Sequence, residues 1–166
     1  MEEVMKKIIG LILLSLGGFT SFIFGENFGA DGALNESNYT LEEMLEYAIE
    51  DEYLALNEYE ALIEKFGPIK PFTNIIESEK THIAYLKELY SSYNIEIPKV
   101  DTTSHLYIPK NVEEAAKIGV DAEVKNIAMY NKFLKEDLPL DVRNVFEFLK
   151  KASENHLKAF RRQLER

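Results

Sequence analysis

The sequence predicts an all-α protein, a four-helix bundle built from two antiparallel hairpins. From about residue 40 onward, apolar residues recur every three or four positions in four long stretches, which is the spacing of one helix face. All five prolines of the chain lie between these stretches or at their ends. A few residues separate the first stretch from the second and the third from the fourth, whereas about 17 separate the second from the third.

The first predicted helix begins after the N-cap residue Thr40, and Glu43 three residues later completes a capping box. It ends at Gly67-Pro68, because a glycine followed by a proline stops a helix. The second predicted helix covers residues 71–93. Only a few residues join the two helices, so they are expected to be antiparallel neighbours.

The segment "NIEIPKVDTTSHLYIPK" follows, with two prolines and no helical period. The third predicted helix covers about 111–136 with Asn111 as its cap, and a break at Pro139 precedes the fourth, at about 140–165. About 17 residues at up to roughly 3.3 Å each can run the length of a helix of about 35–40 Å. This long crossover therefore makes the second and third helices parallel.

Residues 1–25 differ from the rest of the chain, because a basic start precedes a long apolar run. This pattern predicts a secretory signal peptide, with Gly25 as the candidate cleavage point. The alternative is an uncleaved N-terminal anchor, since the apolar run of about 17 residues is at the short edge for a spanning helix. Both place the remainder outside the cytoplasm, either exported (periplasmic or extracellular) or anchored on the outer face of the membrane. Residues 26–39 lack periodicity and are predicted to be a linker to the domain at 40–166.

The composition limits the function classes. Hydrophobic residues make up 46% and charged residues 29%, as in ordinary soluble proteins. The net charge of −10 argues against binding to nucleic acid or to anionic membrane surfaces. It is compatible with attracting cations, although solubility explains it equally well. The chain has no cysteine, which excludes disulfides, thiolate zinc sites and iron–sulfur clusters, so any metal must be held by oxygen and nitrogen.

Each predicted helix carries an ionisable residue on its apolar stripe, near its middle. These residues are Glu52 in the first helix, Glu79 and His82 in the second, Glu123 in the third and His156 in the fourth. Unpaired charges in a bundle core cost several kcal/mol, so these side chains must be compensated together. A lone core histidine is more often hydrogen-bonded, and a lone glutamate on a stripe is usually a surface residue. Four helices with such residues at the same height favour a metal site.

A weak internal repeat supports this interpretation. Glu52 and Tyr59 are seven residues apart, as are Glu123 and Tyr130, and "SEKTH" in the second helix is echoed by "SENH" in the fourth. The two tyrosines are expected either to pack in the core or to donate hydrogen bonds to ligand carboxylates, and the sequence leaves both open. The third histidine, His105, lies in the crossover and is predicted to be solvated.

The segments "EDEYLALNEYEALIEKFG", "SEKTHIAYL" and "ASENHLKAFRRQL" resemble the ferritin-like proteins grouped as domain of unknown function 2202, with rubrerythrins and bacterioferritins as more distant relatives. The resemblance covers about residues 40–165. It implies a ferritin-like four-helix bundle with the long crossover between its second and third helices. It also implies a metal set of five residues: Glu52, Glu79, His82, Glu123 and His156.

One position departs from the ferritin-like pattern, which has Glu-x-x-His twice. Ser153 stands three residues before His156, where a glutamate is expected, and Glu154 is turned away by about 100°. The sequence therefore predicts an asymmetric dinuclear centre or a single-metal site. With no cysteine there is no rubredoxin-like module, so an enzymatic reaction needs an external electron donor.

The leading hypothesis is an exported, ferritin-like, non-haem iron protein that oxidises Fe(II) or reduces peroxide, with O₂ or peroxide and metal ions as its partners. Zinc and manganese are the alternative metals, and a homodimer stays open. No individual residue is assigned a catalytic role. The second hypothesis is a non-catalytic metal-binding or interaction bundle outside the cytoplasm, and the third is a structural bundle with a hydrogen-bonded polar core.

Overall fold

The structure, a computed structural model, describes residues 27–166 and contains within them five α-helices and no strand. The all-α class is therefore confirmed. None of the described helices is both long and apolar enough to cross a membrane. The predicted signal peptide or anchor lies outside the described residues. The helices are α1 (Gly29–Asn35), α2 (Leu41–Phe66), α3 (Phe72–Ser92), α4 (Val112–Phe133) and α5 (Leu140–Leu164).

The predicted local signals set the helix ends. The Thr40 side chain accepts a hydrogen bond from the Glu43 N–H, and the Glu43 carboxylate accepts one from the Thr40 N–H, so the capping box of α2 is present. At the other end of α2, Gly67 adopts a φ of 83°, a backbone conformation that residues with a Cβ atom rarely take. The Asn111 side chain caps α4 by accepting from the Glu114 N–H at 2.8 Å.

Two clusters of buried apolar side chains fix the directions of the helices. One cluster joins the first half of α2 and of α5 to the last half of α3 and of α4; it includes Leu45, Leu86, Phe133 and Phe146. The other joins the opposite ends; it includes Leu62, Phe72, Ala116 and Phe160. Hence α2 and α3 are antiparallel, α4 and α5 are antiparallel, and α3 and α4 run parallel, in agreement with the predicted pair of hairpins and their crossover.

A short helix lies within the segment that was expected to be a linker. The α1 helix packs on α2 and α4, and its Ala33 is fully buried. Carboxylates of α2 accept its first N–H groups, from Gly29 to Glu50 and from Ala30 to Asp51, both at 2.9 Å. Seven residues are too few to show a helical period, and isolated helices of this length are unstable in water. Tertiary contacts therefore create α1, and the sequence pattern could not reveal it.

The crossover also holds an unexpected contact. The His105 ring stacks on the Phe28 ring with 4.0 Å between centroids, next to the start of α1. His105 is half-buried there, so it is less exposed to solvent than the sequence predicts. The physical reason is that His105 packs on Phe28, in the segment that leads into α1.

Candidate metal centre

The structure brings all five predicted metal ligands together in the middle of the bundle, between the two apolar clusters. Each of α2, α3, α4 and α5 contributes at least one of them, because each helix passes the centre at its midpoint. All five side chains are almost inaccessible to solvent, with exposed fractions of 2% for Glu52, 3% for Glu79, 1% for His82, 5% for Glu123 and 8% for His156. Polar groups buried to this degree need partners.

The first half of the centre is formed by α2 and α3. The Nδ1 atom of His82 lies 2.9 Å from a Glu52 oxygen and 2.9 Å from a Glu79 oxygen. Its Nε2 atom lies 3.0 Å from the Ser78 hydroxyl, which holds the ring with Nδ1 facing the carboxylates. The second Glu52 oxygen accepts a 3.0 Å hydrogen bond from the Tyr130 hydroxyl of α4.

The second half repeats this arrangement with α4 and α5. The Nδ1 atom of His156 lies 3.2 Å from a Glu123 oxygen and 3.2 Å from the other oxygen of Glu79. Glu79 therefore turns one carboxylate oxygen towards each histidine, and it links the two halves. The two histidine rings are stacked with 5.8 Å between their centroids.

Two overlapping ligand sets result from this geometry. One consists of Glu52, Glu79 and His82, and the other of Glu79, Glu123 and His156; within each, one ligand atom per residue lies within 4.8 Å of the others. An ion that holds nitrogen and oxygen ligands at roughly 2.0–2.2 Å keeps them within about 4.4 Å of each other. Small side-chain movements would close either set around an ion, so the residues fit a divalent metal.

The electrostatics of the first half show how the side chains are balanced without a metal. Burial opposes a charge on His82, but the Glu52 and Glu79 carboxylates outweigh it and raise the His82 pKa to about 10. Burial alone would raise the pKa of Glu52, yet His82 lowers it to about 2. For Glu79, burial and the neighbouring Glu52 charge raise the pKa well above its ordinary value. Without a metal, His82 therefore balances the charge of Glu52, and burial together with the Glu52 charge opposes a charge on Glu79.

Ser153 makes the two halves different. It stands at the repeat position of Glu79, and its hydroxyl lies 3.1 Å from the side-chain oxygen of Asn126 and 3.2 Å from the Leu149 carbonyl, as a donor. A cavity of about 40 Å³ lies beside it, with Glu79 and Glu123 also in its wall. Such a volume has room for about three water molecules. The second half therefore has open space where the first has a carboxylate.

The side chain next to Ser153 in sequence does not replace the absent carboxylate. Glu154 lies on the outside of α5, where its carboxylate pairs with Lys151 at 2.9 Å. This placement agrees with the helical phase expected from the sequence, in which Glu154 is turned away from the apolar stripe.

The two repeat tyrosines occupy different surroundings. Tyr130 is a hydrogen-bond donor to a predicted ligand, as described above, whereas Tyr59 packs between the rings of Phe72 and Phe160, each at 6.1 Å. Burial and the charges of Glu123 and Glu79 raise the Tyr59 pKa well above its ordinary value. Tyr59 is thus close to the second half of the centre, as Tyr130 is to the first.

Sequence reasoning missed a hydrogen-bonded chain that leads outward from the centre. Ser153 donates to Asn126, the Asn126 amide donates to the Asp51 carboxylate, and Asp51 accepts the Ala30 N–H of α1. It also missed Glu58, a half-buried residue that accepts the backbone N–H of Tyr107 and whose pKa burial raises to about 7. One signal was available: Asp51 and Glu58 are seven residues apart, immediately before Glu52 and Tyr59, and form a second stripe on α2.

Comparison with known proteins identifies relatives. Residues 42–166 match the family model described as "Uncharacterized protein domain (DUF2202)". The chain is 35% identical over 130 residues to the uncharacterized protein MJ0754 of Methanocaldococcus jannaschii, across 69% of this chain and 70% of the relative. The crystal structure of the hypothetical protein MJ0754 from Methanococcus jannaschii is similar with a TM-score of 0.67 at 30% identity, covering 78% of this chain and 83% of that one. The descriptions of these relatives include no activity, so function is argued from the centre itself.

Proposed function

The chain belongs to the DUF2202 domain family, and we propose that its bundle holds a pair of divalent metal ions, with iron as the native metal, in a centre that oxidises Fe(II) or reduces peroxide. One observation carries the proposal. The two oxygens of Glu79 face His82 and His156 separately, so that a single buried carboxylate belongs to both ligand sets. This is the position that a bridging ligand takes between two ions.

Iron is one of the metals that the donor set can hold. Three carboxylates and two imidazoles suit iron, manganese and zinc, and the absence of cysteine excludes thiolate chemistry. Two irons that each change by one electron would supply the two electrons that, with two protons, reduce hydrogen peroxide to two molecules of water. If Fe(II) is the substrate, two Fe(II) ions would give two electrons to O₂, which with two protons would become hydrogen peroxide and leave two Fe(III). In this proposal the redox chemistry takes place in the core of the bundle.

The protein residues would position the ligands and leave room for the oxidant. Ser78 holds the His82 ring, and Tyr130 holds one Glu52 oxygen, so neither ligand can turn freely. The cavity beside Ser153 has the size for O₂ or peroxide next to Glu79 and Glu123. Because the chain has no cysteine for a redox module of its own, we propose an external electron donor for any repeated turnover. Export through the N-terminal segment would place this chemistry outside the cytoplasm.

A rival function is a bundle without redox activity. The ion pair between Glu52 and His82 satisfies part of the buried polar core without any metal. A structural polar core and a non-catalytic metal site are both consistent with that contact. A structural polar core would contain no metal, whereas a non-catalytic metal site would bind metal without consuming oxygen.

Metal analysis and an oxidation assay separate these alternatives. Protein purified without chelators, and protein loaded with Fe(II), Zn(II) or Mn(II), should contain up to two ions per chain, and Fe(II) should be oxidised with uptake of O₂ or peroxide. Glu79→Gln should lower the metal content sharply, since both ligand sets lose a carboxylate. The matched control is Glu77→Gln, on the same helix, where the side chain is 69% exposed and paired with Lys80. Binding without oxidation supports the non-catalytic site, and absence of binding supports the polar core.

A further inference from the structure

The five candidate ligands are buried, so an ion from solvent needs a route to them. Such a route could lead through either of two faces of the bundle. The hairpins contact each other along α2 and α4 on one side and along α3 and α5 on the other, and both contacts are looser than those inside each hairpin. Cavities lie on both faces, and their linings differ in chemistry.

The cavities on the α2–α4 face form one path. The inner cavity of about 40 Å³ has Glu79 and Glu123 in its wall. The outer cavity, of about 730 Å³, lies between α1, α2, α4 and the crossover. Four residues line both cavities: Asp51, Leu54, Glu58 and Ala122. The inner cavity therefore adjoins the outer one, and these four side chains, here called the neck, stand between the two.

The outer cavity has a negative lining. Five carboxylates line it: Asp31, Asp51, Glu58, Glu114 and Asp121. The basic side chains in the same wall are His105 and Lys125, and Lys125 is already paired with Asp31 at 2.8 Å. A cleft lined by one sign of charge concentrates ions of the opposite sign. Cations are thus drawn towards the neck.

The opposite face is built differently. A groove of about 400 Å³ between α3 and α5 reaches His156, but no carboxylate lines it, and Lys151 does. Phe148, Ala152 and Ala159 make much of its wall apolar. No carboxylate in this groove attracts a divalent cation, and Lys151 is itself paired with Glu154, so the α2–α4 face is the more favourable side for a cation.

We propose that divalent cations reach the metal centre through the α2–α4 face, past the neck, and that Glu58 is the last carboxylate they meet before Glu79 and Glu123. Asp51 is less suited to this role because its two oxygens already accept hydrogen bonds from Ala30 and Asn126. Glu58 has one such partner, the backbone N–H of Tyr107, so more of its acceptor capacity is available to a cation. The inference rests on the proposed metal binding and adds the route and its transfer residue.

The test measures the rate of metal loading separately from the amount bound. Metal-free protein is mixed with Co(II), and the appearance of the protein-bound Co(II) absorbance is followed by stopped flow, with the final stoichiometry from elemental analysis. Ala122→Leu fills the neck from an exposed position, so the fold should tolerate it. Loading should slow by roughly tenfold while the final stoichiometry stays that of the wild type. The matched control is Ala152→Leu in the opposite groove, which should load at the wild-type rate.

A second variant tests the charge at the neck. Glu58→Gln keeps the side-chain shape. At pH 8, above the pKa of about 7 that burial gives Glu58, it should slow loading roughly two- to fivefold at low ionic strength, with the difference shrinking at high salt. Glu60→Gln, two residues along α2 and exposed, is the control that should not slow loading. This pair also keeps the test decisive if Ala122→Leu misfolds.

The outcomes separate the route from the proposed function. If Ala152→Leu slows loading and Ala122→Leu does not, ions use the α3–α5 groove and the proposed route is wrong. If all variants load at the wild-type rate, ions enter by transient opening of the bundle, which also overturns the route while metal binding stands. If the wild-type protein binds no metal at equilibrium, both the function and the route are refuted.

Discussion

Ser153→Glu is the most informative single change, because it restores the carboxylate that the repeat lacks. The hydroxyl of Ser153 faces Asn126 beside the small cavity next to Glu79 and Glu123. A glutamate there would add a ligand to the second half of the centre, one turn before His156. We expect the metal content per chain to rise. In the wild-type protein the half with Glu52 is expected to fill first, and in the variant the metal affinities of the two halves should become more equal.

The same change should destabilise the metal-free protein, and the structure gives the size of the effect. Burial raises the pKa of the nearby Glu58 carboxyl from 4.5 to about 7. Ser153 is more deeply buried, so the pKa of a glutamate there should rise by a similar amount, which corresponds to a cost of about 3 kcal/mol. Because the pKa of this acid is raised in the folded state, the folded protein holds its proton at a pH where the unfolded chain has lost it. The loss of stability is therefore absent below about pH 4.5, grows as the pH rises and is complete above about pH 7.

Urea and thermal unfolding of the metal-free variant at pH 5 and pH 8 measure this cost. At pH 8 the melting temperature should fall by roughly 10 °C, and addition of metal should restore it. Asn155→Glu, an exposed change that adds the same charge to α5, is the control and should lower the melting temperature little. The reasoning is refuted if Ser153→Glu changes neither stability nor metal content while Glu154→Ala abolishes metal binding, because Glu154 would then close the site.

Three further predictions concern the centre and the mature chain. Chelation should lower the melting temperature and added iron or zinc should restore it, because an ion that binds the folded protein stabilises it. An unchanged melting temperature in both treatments, together with no metal by elemental analysis, would exclude the site. Tyr130→Phe should cost about 1.5–3 kcal/mol in urea unfolding, because it removes a buried hydrogen bond to Glu52, whereas Tyr93→Phe, which loses an exposed bond to Asp141, should cost less than about 1 kcal/mol. Mass spectrometry of the native protein should find a chain that starts near Glu26, and a full-length product in the membrane fraction would favour the anchor.

The helices and their caps were predictable because their causes are local. A capping box needs residues three apart, and a helical stripe needs apolar residues every three or four positions, so Thr40, Glu43 and Gly67 act within one or two turns of chain. The pairing of Glu79 with His82 is local in the same sense, since residues three apart share a helix face. Even the hairpin topology follows from connection lengths, which limit how far a chain can travel.

The sequence by itself thus determined the four-helix bundle, the relative directions of its helices and the level along the bundle at which five polar side chains enter the core. Only the tertiary structure decided that Glu79 faces both histidines, that Tyr130 rather than Tyr59 donates to Glu52, and that a cavity opens beside Ser153. These relations depend on how each helix is rotated and shifted against its neighbours. Contacts between α1, Asp51 and Asn126 have the same origin. The physical reason is that periodicity specifies which face of a helix is buried, whereas the atoms that meet across that face are selected by packing of the whole core.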